Sequence, residues 1–183
     1  MEYNYEKVKE AVKLLLEGIG EDINREGLLE TPDRVARMYK KILNGYKDNP
    51  ENHLKVFKTE SRDMVVVKNI PIYSFCEHHL VPFSGKIHIA YIPIDKMTGL
   101  SKLVRMARVY AKRPQVQERL TTQIANALEK HLSKHCAVQI EAEHMCMNMR
   151  GVRSPGSITV TSAVRGWFKD NPATKQEFIN AMK

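Results

Sequence analysis

Apolar residues recur at helical spacing in the first part of the chain and at alternating spacing further on. Val8, Val12, Leu15 and Ile19 follow one another at steps of three or four, which predicts a helix over about 4–18. Val35, Met38, Tyr39, Ile42 and Tyr46 form a second stripe, with Thr31 suited to cap it and Pro32 to its first helical position. Arg34 and Arg37 fall off that stripe and are expected to face solvent. The pattern then switches to strands over 64–68, 70–75 and 86–92, where Ile87, Ile89 and Tyr91 alternate with Lys86, His88 and Ala90. Pro71, Pro82 and Pro93 punctuate these runs, and His88 reads as a surface residue on a strand face. Ser101 is placed to cap a helix carrying Leu103, Met106, Ala107 and Tyr110. After Pro114 a second helix carries Leu120, Ile124, Ala127 and Leu128, with Gln117 and Glu118 in its first turn. Strands over 137–149 and 157–164 and a helix opening at Asn171-Pro172 complete the pattern. Strands on either side of a central helical pair predict an antiparallel α+β domain.

Composition adds limits. With 183 residues, 43% of them hydrophobic, the chain can bury a proper core and is expected to be one domain, its first 60 residues mainly helical. No apolar run reaches membrane-spanning length, and the start Met1-Glu2-Tyr3-Asn4 has neither the basic nor the apolar stretch of a signal peptide, so a cytoplasmic location is expected. Three cysteines are too few for a disulfide framework, and an odd number argues against full pairing. Cys136 follows His131 and His135, but with Lys130 and Lys134 these histidines fit the negative end of a helix better than a metal cluster.

The formal net charge of +8 calls for an anionic partner. No run of five basic residues marks a nucleic-acid arm or a polybasic membrane anchor. The cations gather instead at Lys102, Arg105, Arg108, Lys112 and Arg113, and at Arg150, Arg153 and Arg165.

Cys76-Glu77-His78-His79 and His144-Met145-Cys146 carry the candidate chemistry. Cys76, His79 and Cys146 make a three-ligand zinc set that leaves a position open for water or substrate, with His78 and His144 beside it as proton carriers. On alternating strand faces, His144, Cys146 and Arg150 point the same way. The spacing alone leaves the opposing reading open, in which these are buried thiols acting as small hydrophobes.

Four motifs then point one way: Cys76-Glu77-His78-His79-Leu80-Val81-Pro82-Phe83, Gly99-Leu100-Ser101-Lys102-Leu103-Val104-Arg105, Arg113-Pro114-Gln115-Val116-Gln117-Glu118-Arg119-Leu120-Thr121, and His144-Met145-Cys146-Met147-Asn148-Met149-Arg150-Gly151-Val152. In this order they resemble type I GTP cyclohydrolase, from Glu26-Gly27-Leu28 to the terminal helix. The resemblance implies the tunnelling fold over 61–183, assembled into a toroid, usually a homodecamer with active sites between subunits. It implies Zn2+ on Cys76, His79 and Cys146, proton shuttling by His78 and His144, and guanine recognition by Gln117 and Glu118. Lys102, Arg105 and Arg150, with Arg34 and Arg37 from a neighbouring subunit, become triphosphate contacts, and Ser101 lies near the ribose rearrangement. Glu77 is the rival base. GTP is then the substrate, opened at carbon 8 of guanine with loss of formate.

Two other classes fit the sequence less well. A zinc-free nitrile reductase of the tunnelling fold leaves His79 and Cys146 without a role, and no nicotinamide-binding fingerprint is present. A basic nucleic-acid-binding module lacks an aromatic-rich binding motif.

Overall fold

The computed structural model describes residues 2–182, which form two compact units split after Asp48. In the first unit, α1 (Tyr5–Gly18) starts where the Asn4 side chain accepts from Lys7 N–H at 2.9 Å. It pairs with α2 (Thr31–Ile42) through Tyr3 Oη, which donates to Ala36 O at 2.7 Å, and through Tyr5, which reaches Asp33. Glu30, not Thr31, is the N-cap of α2; Pro32 is buried in its first turn, and the Thr31 hydroxyl donates back to Gly27 O.

The second unit is α+β. Its main sheet has the strand order β5-β2-β3-β6-β7, built from β2 (Val65–Cys76), β3 (Pro82–Tyr91), β5 (Pro114–Gln115), β6 (Cys136–His144) and β7 (Ile158–Arg165). All neighbours are antiparallel except the short β5–β2 pair. A small ribbon pairs β1 (Val56–Lys58) with β4 (Lys96–Thr98), two strands that the hydrophobic pattern does not reveal. The two strands expected over 64–75 are one, interrupted by a bulge between Val67 and Ile70 at which Asn69 takes a φ of 60°.

One face of the sheet is covered by α3 (Leu100–Ala111) and α4 (Gln117–His131). Ile70, Ile72, Phe83, Ile87, Ile89, Val138 and Ile140 pack there against Leu103, Met106, Leu120, Ile124 and Leu128. Gly85 sits where β3 meets β6 so closely that a Cβ would lie 1.8 Å from Glu141 O. His88, expected at the surface, is only 4% exposed. Its Nδ1 accepts from Asn69 N–H, because the bulge folds backbone over that strand face. The basic C-terminus of α4 finds a partner rather than only a dipole: Lys130 and His131 both reach Glu51, at 3.2 and 2.7 Å. The short α6 (Trp167–Asp170) and α7 (Pro172–Met182) form a second cluster with Ala90, Ile92 and Ala137 through Phe168 and Phe178.

His135 ties α6 to the sheet. Its Nδ1 accepts from Trp167 N–H at 3.1 Å, and its ring stacks on the indole with centroids 4.0 Å apart. Gly166 makes room, since a Cβ there would lie 2.3 Å from that Nδ1, and its φ of +52° suits glycine. Burial, then the charge of Lys134, pushes the His135 pKa below its ordinary value. The folded chain therefore binds this proton less readily than the unfolded chain. The contribution to stability is present above about pH 6.5 and is lost as pH falls through the lower folded value. Trp167 is the single tryptophan of the chain. Its emission, followed on acidification, is expected to change with a midpoint below about 6.5 and to lose that transition in His135→Asn. A midpoint at or above that value contradicts the assignment.

Candidate active site

The end of the sheet where β2, β3 and β6 meet brings the chemistry together. Beyond Cys76 the chain makes a tight turn: Leu80 N–H donates to Cys76 O at 2.8 Å, and Cys76 N–H donates to Val81 O at 2.9 Å. Leu80 takes a φ of 52° to close it. The turn leaves the Cys76 thiol buried at the end of its strand and presents His78 and His79 outward. Glu77 pins it from the side. Its N–H donates to Gln115 O at 3.1 Å, and its carboxylate takes a very short hydrogen bond from Arg119, which also reaches Gln115 Oε1 at 3.1 Å. That guanidinium holds the Glu77 carboxyl below the usual carboxylate range, so Glu77 is occupied as an ion-pair partner and is a poor rival base.

From the other side, β6 delivers His144 opposite Phe83, the rings stacked 4.5 Å apart. The strand expected over 137–149 stops there. β3 begins at Pro82, which has no N–H to continue the ladder, and the chain winds instead into α5 (Met145–Asn148). Cys146 and Arg150 are therefore not on a strand face with His144; the helical turn swings the thiol back towards Cys76. The ligand atoms of Cys76, His79 and Cys146 lie within 4.8 Å of one another. The His78 and His79 Nδ1 atoms stand 3.8 and 3.9 Å from Cys76 Sγ.

This donor set fits zinc: two thiols and an imidazole, soft enough for the metal and one short of a closed tetrahedron. Burial, and next the adjacent Cys76 sulfur, push the Cys146 thiol up, a cost that a cation between the sulfurs removes. Cys136 is no part of it. Buried on β6, its thiol is pushed up to about 12 and donates to Ala125 O. Arg150 Nη1 lies 2.9 Å from His79 Nε2, and because arginine only donates, that nitrogen is the acceptor. A metal on His79 excludes this contact, since the remaining ring nitrogen must then hold a proton or the metal itself. An occupied site frees Arg150 to meet an anion.

A cavity of about 210 Å³ opens beside the triad, lined by Cys76, His78, Gln117, Glu118, His144 and Cys146 among others. Gln117 and Glu118 stand at the unsatisfied N-terminus of α4, where Val116 offers no side-chain cap. His144 has its pKa lowered by burial, against the opposing charge of Glu118, and stays neutral near pH 7.

The remaining candidates do not line this cavity. α3 starts at the opposite end of the sheet, where Thr98 N–H donates to Tyr91 Oη, and runs back to the Cys76 end, where Gln115 pairs with Cys76. The ten residues of β3 span about 30 Å. Ser101, Lys102 and Arg105, in the first half of α3, do not line the cavity beside the Cys76, His79 and Cys146 group. Arg34 and Arg37 are exposed in the first compact unit, each paired one turn back, with Glu30 at 2.9 Å and Asp33 at 2.8 Å. Among the residues that shape the site, sequence reading passed over Phe83, Thr121, Thr161 and Arg119. Only Arg119 carried a local signal, its one-turn spacing from Gln115.

The family model of GTP cyclohydrolase I matches residues 8–183. The GTP cyclohydrolase 1 of Desulforamulus reducens is 58% identical over 181 residues, 97% of each chain, and that of Pelotomaculum thermopropionicum 56% identical over 184 residues, 99% of this chain and 98% of its own. The GTP cyclohydrolase 1 of Bacillus subtilis is 53% identical over 185 residues, 100% of this chain and 97% of its own. Among solved structures, the archaeosine synthase QueF-Like in the apo form overlaps 58% of this chain and 97% of its own at 17% identity and a TM-score of 0.49, too slight a likeness to bear on function. Matched over nearly its whole length by the family model and by relatives more than half identical, the chain belongs to the GTP cyclohydrolase I family.

Proposed function

We propose that this protein opens the imidazole ring of GTP hydrolytically at carbon 8, releases formate and, after ribose rearrangement and ring closure, yields 7,8-dihydroneopterin triphosphate. One observation carries the reading: Cys76, His79 and Cys146 converge at the rim of a cavity also lined by His78, His144 and Glu118. Bound by the three ligands, a zinc ion supplies Lewis acidity that brings the pKa of water down to about 7. His144, neutral and oriented by its stack on Phe83, accepts a proton at the buried side of the cavity. His78, exposed on the turn, exchanges protons with solvent. The Glu118 carboxylate accepts from the imino and amino hydrogens of guanine, a polarity that adenine does not match. Gln117 keeps its backbone N–H, one of the unpaired donors at the start of α4, for the purine.

The triphosphate needs cations that the chain does not bring to its own metal triad. Arg150 is at hand beside His79, whereas Lys102 and Arg105, and Ser101 for the ribose, are not among the residues that line the cavity. A second copy of the chain supplies them in our reading, together with Arg34 and Arg37. This favours a toroidal homo-oligomer of the tunnelling fold, a decamer with active sites between subunits, in which residues 1–183 act as one domain. No helix among the described residues is long and apolar enough to cross a membrane, and we place the enzyme in the cytoplasm, with GTP rather than nucleic acid as its anionic partner.

Purified protein loaded with zinc and given GTP is expected to release formate and develop a pterin absorbance; zinc-loaded protein that does neither refutes the function. Cys146→Ser is expected to lose zinc and turnover together, since an alcohol is a far poorer ligand than a thiolate, and His144→Gln to keep zinc while turnover collapses. Cys136→Ser is expected to retain both. Metal content measured beside formate release on each variant decides it, and the opposite pattern reverses the two assignments.

Arg105→Ala separates phosphate from base recognition. A hydrogen bond to a charged group is worth roughly 1.5–3 kcal/mol, so GTP affinity is expected to fall about tenfold or more while guanosine affinity holds. Equal losses for the two ligands remove Arg105 from that role.

A further inference from the structure

Gln117 is 1% exposed, and its side-chain amide is engaged on both ends by protein groups. Its Nε2 donates to Ile140 O at 3.1 Å, to Thr159 O at 3.0 Å and to Thr161 Oγ1 at 3.0 Å, two N–H groups shared among three acceptors. Two of these are backbone carbonyls, which cannot donate, so the amide can be turned only one way. Its Oε1 then points at His144 Nε2, 2.7 Å away.

The hydroxyls around it close a ring of defined direction. Thr121 Oγ1 donates to Gln117 O at 2.8 Å, which uses its only proton. The 2.7 Å contact between the two threonine hydroxyls is therefore donated by Thr161. Thr161 in turn accepts from Gln117 Nε2. Every hydrogen in the circuit has one place to go.

We propose that Thr121 and Thr161 lock the Gln117 amide so that it fixes the tautomer and orientation of His144, and that Gln117 is a positioning residue rather than a side-chain contact to guanine. An amide oxygen accepts and never donates, so Nε2 of the imidazole carries the hydrogen and Nδ1 is left as the nitrogen with a free lone pair. Phe83 holds the ring plane from its face. The other tautomer would set two lone pairs against each other across 2.7 Å. The inference rests on the cyclohydrolase reading of the site and adds to it three side chains that touch neither metal nor substrate: one buried amide and two hydroxyls.

Thr161→Val keeps the shape of the side chain and removes the hydroxyl that receives Gln117. Outer partners of this kind commonly cost roughly 10- to 100-fold in activity when removed. The expected result is a fall of that size in kcat, with KM for GTP and the affinity of the metal-free protein for GTP, measured by calorimetry, within about twofold of wild type, and with zinc content retained. Thr161→Ser, which restores the hydroxyl, is expected to recover most of the lost turnover. Thr121→Val interrupts the same ring from the helix side and is expected to repeat the pattern, which keeps the test open should Thr161→Val fail to fold. Undiminished kcat in either valine variant overturns the proposal. So does a rise in KM and a loss of metal-free GTP affinity with kcat preserved, the signature of an amide that contacts guanine. Wild-type protein that releases no formate from GTP overturns the cyclohydrolase reading first, and this inference with it, whereas wild-type turnover beside an unaffected Thr161→Val removes this inference alone.

Discussion

The pairing of β3 with β2 on one side and β6 on the other is the constraint from which the site follows. Phe83 lies opposite both Ser74 and His144, so the register of two ladders decides how far the Cys76 turn stands from the end of β6. The pairing rests on packing at this junction. Gly85 lets β6 approach within a distance that no side chain tolerates, and Phe83, Ile87 and Ile89 fill the space beneath α3 and α4. A turn and a helical stub then complete the site from either side, and neither has enough contacts of its own to hold a ligand set without the sheet.

The site combines groups of very different exposure, and their roles follow from that difference. Cys76 is sealed at its strand end, His144 is half-buried under an aromatic ring, and His78, His79 and Glu118 face outward. Burial disfavours the charged form of one imidazole and one thiol, while the outward groups remain in contact with solvent. The net charge of +8 has a local meaning too. Among the described residues, none of the lysines and arginines it counts lines the cavity beside Cys76, His79 and Cys146.

Much of the fold was legible because helices and strands impose different apolar periods. The stripes of α1, α3 and α4 and the alternation in β3 and β6 each placed an element within a few residues. What the period could not show was where a ladder runs out of partners. Beyond His144 the alternation continues through Cys146 to Arg150, yet the backbone coils because β3 begins with a proline. His88 was misread for a related reason: it alternates with apolar Ile87 and Ile89, and the bulge at Asn69, a feature of the paired strand, brings backbone against it. The convergence of Cys76, His79 and Cys146 was expected from their residue types, since zinc takes thiolates and imidazoles, and from the family motifs, while their spacing alone left buried thiols as an equal reading. Gln117 was read by resemblance as a base contact, and its surroundings could not be seen, because its partners Ile140, Thr159 and Thr161 come from strands 23 to 44 residues away.

The edge strand β7 is weakly specified by hydrophobicity. Ile158 and Val160 point outward and are more than half exposed, while Thr159, Thr161 and Ala163 alternate with them on the covered side. A slip of two residues against β6 preserves which side chains face the helices, so apolar burial discriminates poorly between the correct pairing and its neighbour. The Gln117 amide does discriminate. It reads one carbonyl from β6 and one from β7 together with the Thr161 hydroxyl, a set that exists only when Ile140 faces Thr161 and Ala142 faces Thr159. A mispaired edge would therefore leave a compact, well-covered protein with an unmatched amide at its centre, so the network acts as a proofreading contact for folding fidelity.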